Sequence, residues 1–324
     1  MKGYLNIMNN GLVSTRDAYG ETLVKLKEEY PNMVVLDAGV SSATRTSIFK
    51  HVYPRSHFNC GIAEANMFGV AAGMASIGLP VFASAFAIFA VGRAYEQIRT
   101  SIGYTNLPVK IAATHAGISV GSDGATHQCF EDIALMRVIP GMTIICPSDS
   151  IETSKAMNAI MKFFTPVYLR LSKMPSEILH SSNYNFIIGQ GQQLTEGKDV
   201  TIIATGLMVS EALNSSRILK NENISARVIN MATIKPIDRE IIIVAAKETG
   251  AIVTVEDHSV IGGLGDEVSR IVSETIPVPV IHVGVNDMFG QSGNPVELLV
   301  HYGLCTKNIC VMAKMAISKK CISI

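Results

Sequence analysis

Residues 58–99 read FNCGIAEANMFGVAAGMASIGLPVFASAFAIFAVGRAYEQIR, and this stretch decides the fold of the chain. The small residues after Glu64 predict a helix, for which Gly61 is the expected N-cap. The Gly-Leu-Pro sequence at residues 78–80 ends that helix and precedes a short apolar strand. Residues 65–92 carry no charged side chain. We therefore predict that a helix and a strand pack in the interior beside one carboxylate.

The carboxylate of Glu64 has two interpretations. In the first, Glu64 is the third residue of the helix, where free backbone N–H groups and the helix dipole favour a negative charge without any function. In the second, apolar surroundings favour the protonated form of a carboxylate, which suits a proton donor to a ring nitrogen. The uncharged segment leads to two aromatic residues, Phe86 and Phe89, which makes the second interpretation worth testing.

The composition limits the classes of function. The chain has 324 residues, which suits two domains of about 150 residues each. Hydrophobic residues make up 48% of the chain, enough for two cores, and the formal net charge is zero. A neutral chain argues against nucleic acid or an anionic membrane as the main partner. A membrane span within residues 65–92 is disfavoured, because residues 78–80 divide them into segments of soluble-core length.

The cysteines indicate a reducing environment. They are Cys60, Cys129, Cys146, Cys305, Cys310 and Cys321, and they include no Cys-x-x-Cys pair. So few cysteines in so long a chain do not form a disulfide framework, and the N-terminal residues lack a signal pattern, so we expect a cytoplasmic location. His301 with Cys305 and Cys310 lacks a fourth ligand and suitable spacing for zinc, which favours scattered core residues.

Short apolar strands alternate with helices along the chain. The strands are expected at residues 33–37, 81–84, 109–114, 143–147, 166–171, 200–204, 225–230, 251–256 and 278–283. Such strands predict parallel sheets that are covered on both faces by helices. Residues 172–198 lose the periodicity and are rich in turn residues, so we place the domain linker there. The prediction is an α/β protein of two doubly wound domains, residues 1–185 and 186–324.

The carboxyl ends of the strands are the expected place for a functional site in such folds. Asp37, His115 and Arg170 lie at or just after predicted strand ends. The loop at residues 115–127 extends this site, because its three glycines allow unusual backbone shapes and Asp123 and two histidines supply polar groups. These groups could bind a metal, although their spacing is poor for a local site. The other interpretation is proton relay and recognition of substrate hydroxyls.

Several reaction classes lack their motifs. The chain contains no Gly-x-Ser-x-Gly, Walker or His-Glu-x-x-His sequence, so hydrolase, kinase and zincin activities have no support. The glycine-rich run at residues 262–265 resembles a phosphate-binding loop, but it lacks the full dinucleotide fingerprint. We expect this run to be a turn that starts a helix.

Short motifs lie along nearly the whole chain. They are Asn59-Cys-Gly-Ile-Ala-Glu64, Ser84-Ala-Phe86-Ala-Ile-Phe89, Thr114-His115, Gly121-Ser-Asp123-Gly-Ala-Thr-His127-Gln, Cys146-Pro-Ser-Asp149, Glu256-Asp-His-Ser with Gly262-Gly, and Phe289-Gly-Gln-Ser-Gly293. Together and in this order they resemble the second half of a transketolase. In that family the second half comprises a pyrimidine-binding domain and a C-terminal domain, and the cofactor is thiamine diphosphate. The resemblance implies transfer of a two-carbon ketol (glycolaldehyde) unit from a ketose phosphate to an aldose phosphate.

The resemblance also implies a role for each candidate residue. Glu64 would hydrogen-bond the ring nitrogen of the aminopyrimidine and promote the imino form that deprotonates the thiazolium, while Phe86 and Phe89 would pack on the pyrimidine. Asp37 would line the cofactor pocket. Sugar hydroxyls would be bound by His115, Asp123 and His127. Both histidines would also be catalytic, and His127 would relay protons. The acceptor phosphate would be bound by Arg16, Ser41 and Arg170. Without the resemblance, Arg16 and Arg170 would be taken for surface ion-pair residues.

One family motif is absent. The family binds the diphosphate and a divalent metal with a Gly-Asp-Gly motif and a later asparagine in an N-terminal domain, and this chain has no Gly-Asp-Gly. The resemblance therefore implies the C-terminal subunit of a split transketolase, which needs a separate N-terminal subunit that holds Mg²⁺ or Ca²⁺. A pair of heterodimers and a place in the pentose phosphate pathway are further expectations from the family. Gly92 departs from the family members that have a tyrosine near the pyrimidine.

Three alternatives stay open. The β subunit of a 2-oxo acid dehydrogenase has the same two-domain plan, but His115 and the sequence Thr126-His127-Gln are typical of sugar-handling members. A deoxyxylulose-type synthase is similar around Arg93-Ala-Tyr-Glu-Gln, but that enzyme is normally one long chain. A non-catalytic binding subunit of the same fold would be favoured by loss of Glu64 or of both loop histidines, and all three residues are present.

Overall fold

The computed structural model describes residues 11–320, which form two α/β units. Within these residues, a seven-stranded sheet forms the core of the first unit and a five-stranded sheet forms that of the second. Both sheets are mainly parallel and are covered on both faces by helices, which confirms the predicted fold class. Cys321 lies outside the described residues. Strands and helices are numbered in chain order below.

The sheet of the first unit contains every strand predicted there and two more. In spatial order its strands are β12 (Thr233–Lys235), β6 (Thr143–Ile145), β7 (Val167–Arg170), β5 (Val109–Thr114), β4 (Val81–Phe86), β2 (Val34–Asp37) and β3 (His57–Asn59). All neighbours are parallel except β12, which runs antiparallel to β6. β3 and β12 escape prediction because each has only one apolar residue among its three and so forms no apolar run.

Helices cover both faces of this sheet. They are α1 (Thr15–Glu29), α2 (Ser41–Thr44), α3 (Thr46–Val52), α4 (Glu64–Ser76), α5 (Ala87–Arg93), α6 (Tyr95–Gln97), α7 (Asp132–Arg137) and α8 (Ser150–Ile160), with a π-helical segment at Ile98–Tyr104 and 3-10 turns at Pro54–Ser56 and Ile118–Asp123. Val35 and Phe82 belong to the core cluster of α1 and α8, whereas Leu36 and Ala83 belong to that of α4. Because successive residues of a strand face opposite sides, burial of both faces favours apolar residues at consecutive positions.

The second unit repeats this plan on a smaller scale. Its strands in spatial order are β14 (Val280–Val285), β13 (Ile252–Ser259), β10 (Val200–Ala204), β11 (Ala226–Asn230) and β9 (Gln192–Thr195), and its helices are α9 (Met208–Asn221), α10 (Arg239–Thr249), α11 (Leu264–Glu274), α12 (Pro295–His301) and α13 (Thr306–Lys320). The glycine-rich run at residues 262–265 starts α11, as predicted. No helix within the described part of the chain is long and apolar enough to cross a membrane.

The segment at residues 172–198 is more structured than a linker. β8 (Pro175–Glu177) pairs with β1 (Leu12–Ser14) in an antiparallel ribbon, and β9 adds an antiparallel edge to the second sheet. The predicted boundary between residues 185 and 186 lies between β8 and β9 and stays a prediction. The two units are also joined by β12. This strand lies in the second unit by sequence, but it pairs at the edge of the sheet of the first unit.

The start of α4 differs from the prediction. Gly61 has a φ of 70° and donates its N–H to Asn59 Oδ1 over 2.8 Å, in a turn that precedes the helix. The helix begins at Glu64, after Ala63, without a side-chain cap. The prediction that Gly61 is the N-cap is therefore wrong, because this turn takes up the residues that the capping pattern assigned to the helix. Glu64 still lies in the first turn, where the helix dipole favours a carboxylate.

Candidate active site

Four aromatic rings meet at the carboxyl ends of β4 and β5. Phe86 ends β4 and His115 follows β5, and their rings stack with centroids 3.8 Å apart. Phe89 in α5 stacks on Phe86 with centroids 5.6 Å apart, and the ring of His127 meets Phe89 edge-on at 5.3 Å. We call Phe86, Phe89, His115 and His127 the aromatic wall. The structure thus brings together four residues that the sequence predicted for one site.

The carboxylate of Glu64 lies beside this wall and has few partners. Glu64 is 5% exposed, and its hydrogen-bond partner among residues 11–320 is Arg93, whose Nη1 is 3.5 Å from Glu64 Oε1. The guanidinium of Arg93 also lies over the Phe89 ring, 4.3 Å from the centroid. Because Arg93 is 55% exposed, water weakens this ion pair. Glu64 is therefore a buried carboxylate that retains the capacity for a further hydrogen bond.

Asp37, at the end of β2, has its hydrogen bonds satisfied within the chain. Asp37 Oδ2 accepts from Ser41 Oγ at 2.6 Å and lies 2.7 Å from His57 Nε2, while Oδ1 accepts from the Gly39 N–H at 2.9 Å. Burial alone would raise the pKa of Asp37, but the hydrogen bonds from His57 and Ser41 lower it. The hydroxyl proton of Ser41 is used in the same network. Asp37 thus holds the turn at residues 39–41 in place.

Arg16 reaches the aromatic wall from α1. Its Nη1 donates to the carbonyl of Ala43 over 3.1 Å and lies 3.2 Å from His115 Nε2. Its Nε is buried without a hydrogen-bond partner in the described residues. Burial and the nearby charge of Arg45 lower the pKa of Arg16, although an arginine stays charged at neutral pH. A guanidinium with an unused donor beside a second cation is suited to bind an anion.

His115 is held as a neutral ring. Burial and the charges of Arg16 and Lys173 lower the pKa of His115 to about 3, so the imidazole is uncharged at pH 7. Because a guanidinium can only donate, His115 Nε2 accepts from Arg16. We therefore assign the ring proton to Nδ1, which donates to Thr114 Oγ1 over 2.8 Å. The backbone of His115 is left-handed, with a φ of 58°.

Asp123 lies on the exposed part of the loop and pairs with a lysine that the sequence analysis missed. Lys173 Nζ donates to Asp123 Oδ2 over 2.9 Å and to the carbonyl of Val120 over 3.2 Å. Burial would raise the pKa of Asp123, but the hydrogen bond and charge of Lys173 lower it. Lys173 follows the end of β7 by three residues, so the rule that strand ends carry the site could have found it.

Arg170, the last residue of β7, does not join this cluster. Its guanidinium is buried, with Nε donating to Asp132 Oδ2 and Nη2 donating to the carbonyl of Asp257, both over 2.8 Å. Burial opposes the charge, but Asp132 raises the pKa of Arg170. The side chain is thus directed into the junction of the two units, and its contact with a substrate phosphate stays a prediction.

The predicted metal alternatives find no support in the described part of the chain. No group of three His, Cys, Asp or Glu side chains there is placed to hold a metal ion. This applies to the loop histidines with Asp123 and to His301 with its neighbouring cysteines. Cys60, Cys129, Cys146, Cys305 and Cys310 are free thiols.

Comparisons with known proteins match both units to domains of one family. The family model of the transketolase pyrimidine-binding domain matches residues 12–176, and that of the transketolase C-terminal domain matches residues 189–309. A protein of Methanocaldococcus jannaschii named as a transketolase C-terminal section is 49% identical over 297 residues, which cover 91% of this chain and 93% of that protein. A 6-deoxy-6-sulfo-D-fructose transketolase subunit of a Clostridium species is 40% identical over 91% of both chains. A solved structure described as a split gene transketolase, an inactive β4 tetramer, has a TM-score of 0.88 and 47% identity over 95% of this chain and 99% of that chain.

Proposed function

The chain belongs to the transketolase family, and we propose that it is the C-terminal subunit of a two-chain transketolase that uses thiamine diphosphate. The proposed reaction transfers a two-carbon ketol unit from a ketose phosphate to an aldose phosphate. The observation that carries the proposal is Glu64, a buried carboxylate with one long contact beside the stacked rings of Phe86 and Phe89. A buried carboxylate with one long contact costs stability, which favours a catalytic subunit over a non-catalytic one.

The residues present fit the aminopyrimidine of thiamine diphosphate, the cofactor that family membership implies. The carboxylate of Glu64 can share a proton with a ring nitrogen, and Phe86 and Phe89 offer an aromatic surface for the ring. When bound, the cofactor supplies the electron sink that permits cleavage of the bond next to the ketose carbonyl. In this proposal Glu64 holds a proton at the ring nitrogen. Asp37 lines the pocket indirectly, by fixing the turn at residues 39–41.

Substrate recognition is assigned to the loop and to the cations around it. His127 is partly exposed on the aromatic wall, where it can move a proton to or from a substrate oxygen. His115 and Asp123 are proposed to meet sugar hydroxyls. Arg16 and Lys173 supply the positive charge for the phosphate, and Lys173 takes the part that the sequence assigned to Arg170. Ser41 can also bind the phosphate once its hydroxyl hydrogen no longer donates to Asp37.

A sulfonated ketose is a second candidate donor. Phosphate and sulfonate are both tetrahedral anions, and Arg16 with its unpartnered Nε can bind either group. The 40% identical relative named for 6-deoxy-6-sulfo-D-fructose makes this donor class a necessary comparison. The protein is therefore proposed to act either in the pentose phosphate pathway or on a sulfonated ketose.

The partner is proposed to be an N-terminal transketolase subunit that binds the diphosphate and Mg²⁺ or Ca²⁺. The similar proteins named as a transketolase C-terminal section, a transketolase subunit and a split gene transketolase support a separate chain for these groups. Assembly as a pair of heterodimers is proposed, and the similar solved structure, an inactive β4 tetramer, supports self-association. The cytoplasm is the proposed compartment, which suits the free cysteines.

The proposal is tested by purifying the tagged chain gently from its own cell and identifying stoichiometric companions by mass spectrometry. A companion of similar size with Gly-Asp-Gly and a later asparagine is expected. The reconstituted complex should transfer glycolaldehyde between sugar phosphates and is assayed with phosphorylated and sulfonated ketoses in parallel. A lipoyl acyltransferase as companion would instead indicate 2-oxo acid oxidation. Absence of any companion would contradict the shared active site and favour a binding role.

A further inference from the structure

The loop at residues 115–127 belongs to the first unit in sequence, but the second unit holds it. Ile118 is fully buried in a core cluster whose other buried members all come from the second unit. At the end of the loop, Gln128 Nε2 donates to the carbonyl of Gln291 over 2.9 Å. Ser292 Oγ donates to the carbonyl of Ser122 over 2.6 Å. The second unit therefore contacts the loop along its length.

Asp257 of β13 makes the most specific of these contacts. Its Oδ1 accepts from the N–H of Ile118 over 2.8 Å, and its Oδ2 lies 3.5 Å from the N–H of Ser119. Gly117 has a φ of 81°, and a Cβ atom there would lie 2.1 Å from Asp257 Oδ2. The carboxylate of Asp257 thus packs against the backbone of Gly117, and any side chain at position 117 would prevent this approach.

His115 needs support of this kind. Its left-handed backbone, with a φ of 58°, is unfavourable for a residue with a Cβ atom and persists where the surroundings impose it. Thr114 and Arg16 hold the imidazole, but both belong to the first unit. The backbone is held three residues later, where Asp257 binds the N–H of Ile118.

We propose that Asp257 is a positioning residue of the active site, through which the second unit keeps His115 in the aromatic wall. Asp257 acts through the loop backbone and touches none of the groups assigned to catalysis. The catalytic consequence rests on the proposed function, whereas the position of His115 can be measured without it. The second unit then has a direct part in substrate binding beyond support of the fold.

The test uses the full chain with ¹³C-labelled histidine and the variant Asp257→Asn. Asparagine has the same size as aspartate and keeps one acceptor oxygen for the N–H of Ile118. Its NH₂ group, which can only donate, then faces the N–H of Ser119. The NMR signal of His115, assigned with His115→Gln, should shift in Asp257→Asn. Its pKa should rise from about 3 towards the ordinary 6.5, because the ring becomes less buried. Asp257→Ala should enlarge both changes, and an unchanged His115 signal and titration in Asp257→Asn would overturn the proposal.

Glu256→Gln is the matched control. Glu256 is the preceding residue of β13, is equally buried, and accepts from the N–H groups of Leu264 and Gly265 over 2.7 and 2.8 Å, away from the loop. It should leave the His115 signal unchanged. If Glu256→Gln moves that signal as much as Asp257→Asn does, the effect is general loosening and the proposal fails.

The catalytic consequence is measured in the assembled complex. Asp257→Asn should raise the KM for the aldose phosphate by about tenfold, the usual effect of one charge-assisted hydrogen bond, with a smaller change in kcat. Glu256→Gln should leave the KM unchanged. A fall in kcat of about tenfold with an unchanged KM in Asp257→Asn would contradict the positioning role. A complex without any transketolase activity would refute the proposed function while leaving the His115 measurement valid.

Discussion

Glu64 and Asp37 are both buried carboxylates of the first unit, yet their hydrogen bonding is opposite. Asp37 accepts from Ser41 and Gly39 and pairs with His57 at 2.7 Å. Glu64 has a single contact at 3.5 Å among the described residues. This difference in unused hydrogen-bonding capacity supports the proposal that Glu64 acts on the cofactor and that Asp37 supports the turn at residues 39–41.

The same contrast separates two arginines. Arg170 is buried against Asp132 and a backbone carbonyl, so its charge is neutralised within the protein. Arg16 has a buried Nε without a partner in the described residues and a second cation, Arg45, nearby. The first is expected to contribute stability and the second to contribute binding.

The largest expected effect is on Glu64. Glu64→Ala should reduce turnover of the assembled complex by about 10²–10⁴-fold, the usual contribution of a positioned proton donor. Native mass spectrometry should show the same assembly as the wild type, because the side chain makes one weak contact. Glu96→Ala, which removes an exposed carboxylate from α6, is the control and should keep normal turnover. Near-normal turnover of Glu64→Ala would refute the assigned role.

Arg170 should show its effect in stability. Arg170→Ala removes the ion-pair partner of the buried Asp132, which keeps the hydrogen bond from the Tyr168 hydroxyl, and should lower the free energy of unfolding by about 3–5 kcal/mol in urea titrations of the full chain. The double variant Arg170→Ala/Asp132→Asn should lose less than the sum of the two single variants, because no unpaired charge remains. A loss below about 1 kcal/mol for Arg170→Ala would place Arg170 with Arg16 as a binding residue.

Arg16 should show the reverse pattern. Arg16→Ala should lower kcat/KM for a phosphorylated acceptor by about 10–100-fold, the value of one charge-assisted hydrogen bond, with little change in Tm. The same acceptor without its phosphate is the control and should lose much less. An equal loss with both acceptors would show that Arg16 acts through His115 rather than on the phosphate.

The smallest effect is the pH dependence that Asp37 contributes. Its pKa in the folded chain is below the ordinary 3.8, so its stabilisation is present above that value and is lost as the pH falls through the lowered pKa. The wild type should exceed Asp37→Asn by about 1–2 kcal/mol in free energy of unfolding at pH 7. This difference should shrink below about pH 4. A difference that stays constant into acid would show that the charge of Asp37 is unimportant.

Part of the site could be predicted from the sequence because its motifs are local. The strand pattern placed His115 at the end of a strand, whereas the roles of Phe86 and Phe89 came from the resemblance of their short motif. Arg170 ends β7 and Lys173 follows it by three residues, and the sequence predicts only Arg170 as a phosphate ligand. The strand pattern cannot tell them apart, since the difference is the pairing of Arg170 with Asp132, 38 positions away.

The sequence by itself determined the fold class and the edge of the sheet that carries the site. Apolar strands that alternate with helices have one way to bury both faces, and this pattern depends on neighbours in the chain. Only the tertiary structure decided which polar groups are free and which are bound. Asp257 meets Ile118 across 139 positions, and Arg16 meets His115 across 99. Such hydrogen bonds form only when distant parts of the chain pack together, within the first unit for Arg16 and His115 and between the two units for Asp257 and Ile118, so no local pattern contains them.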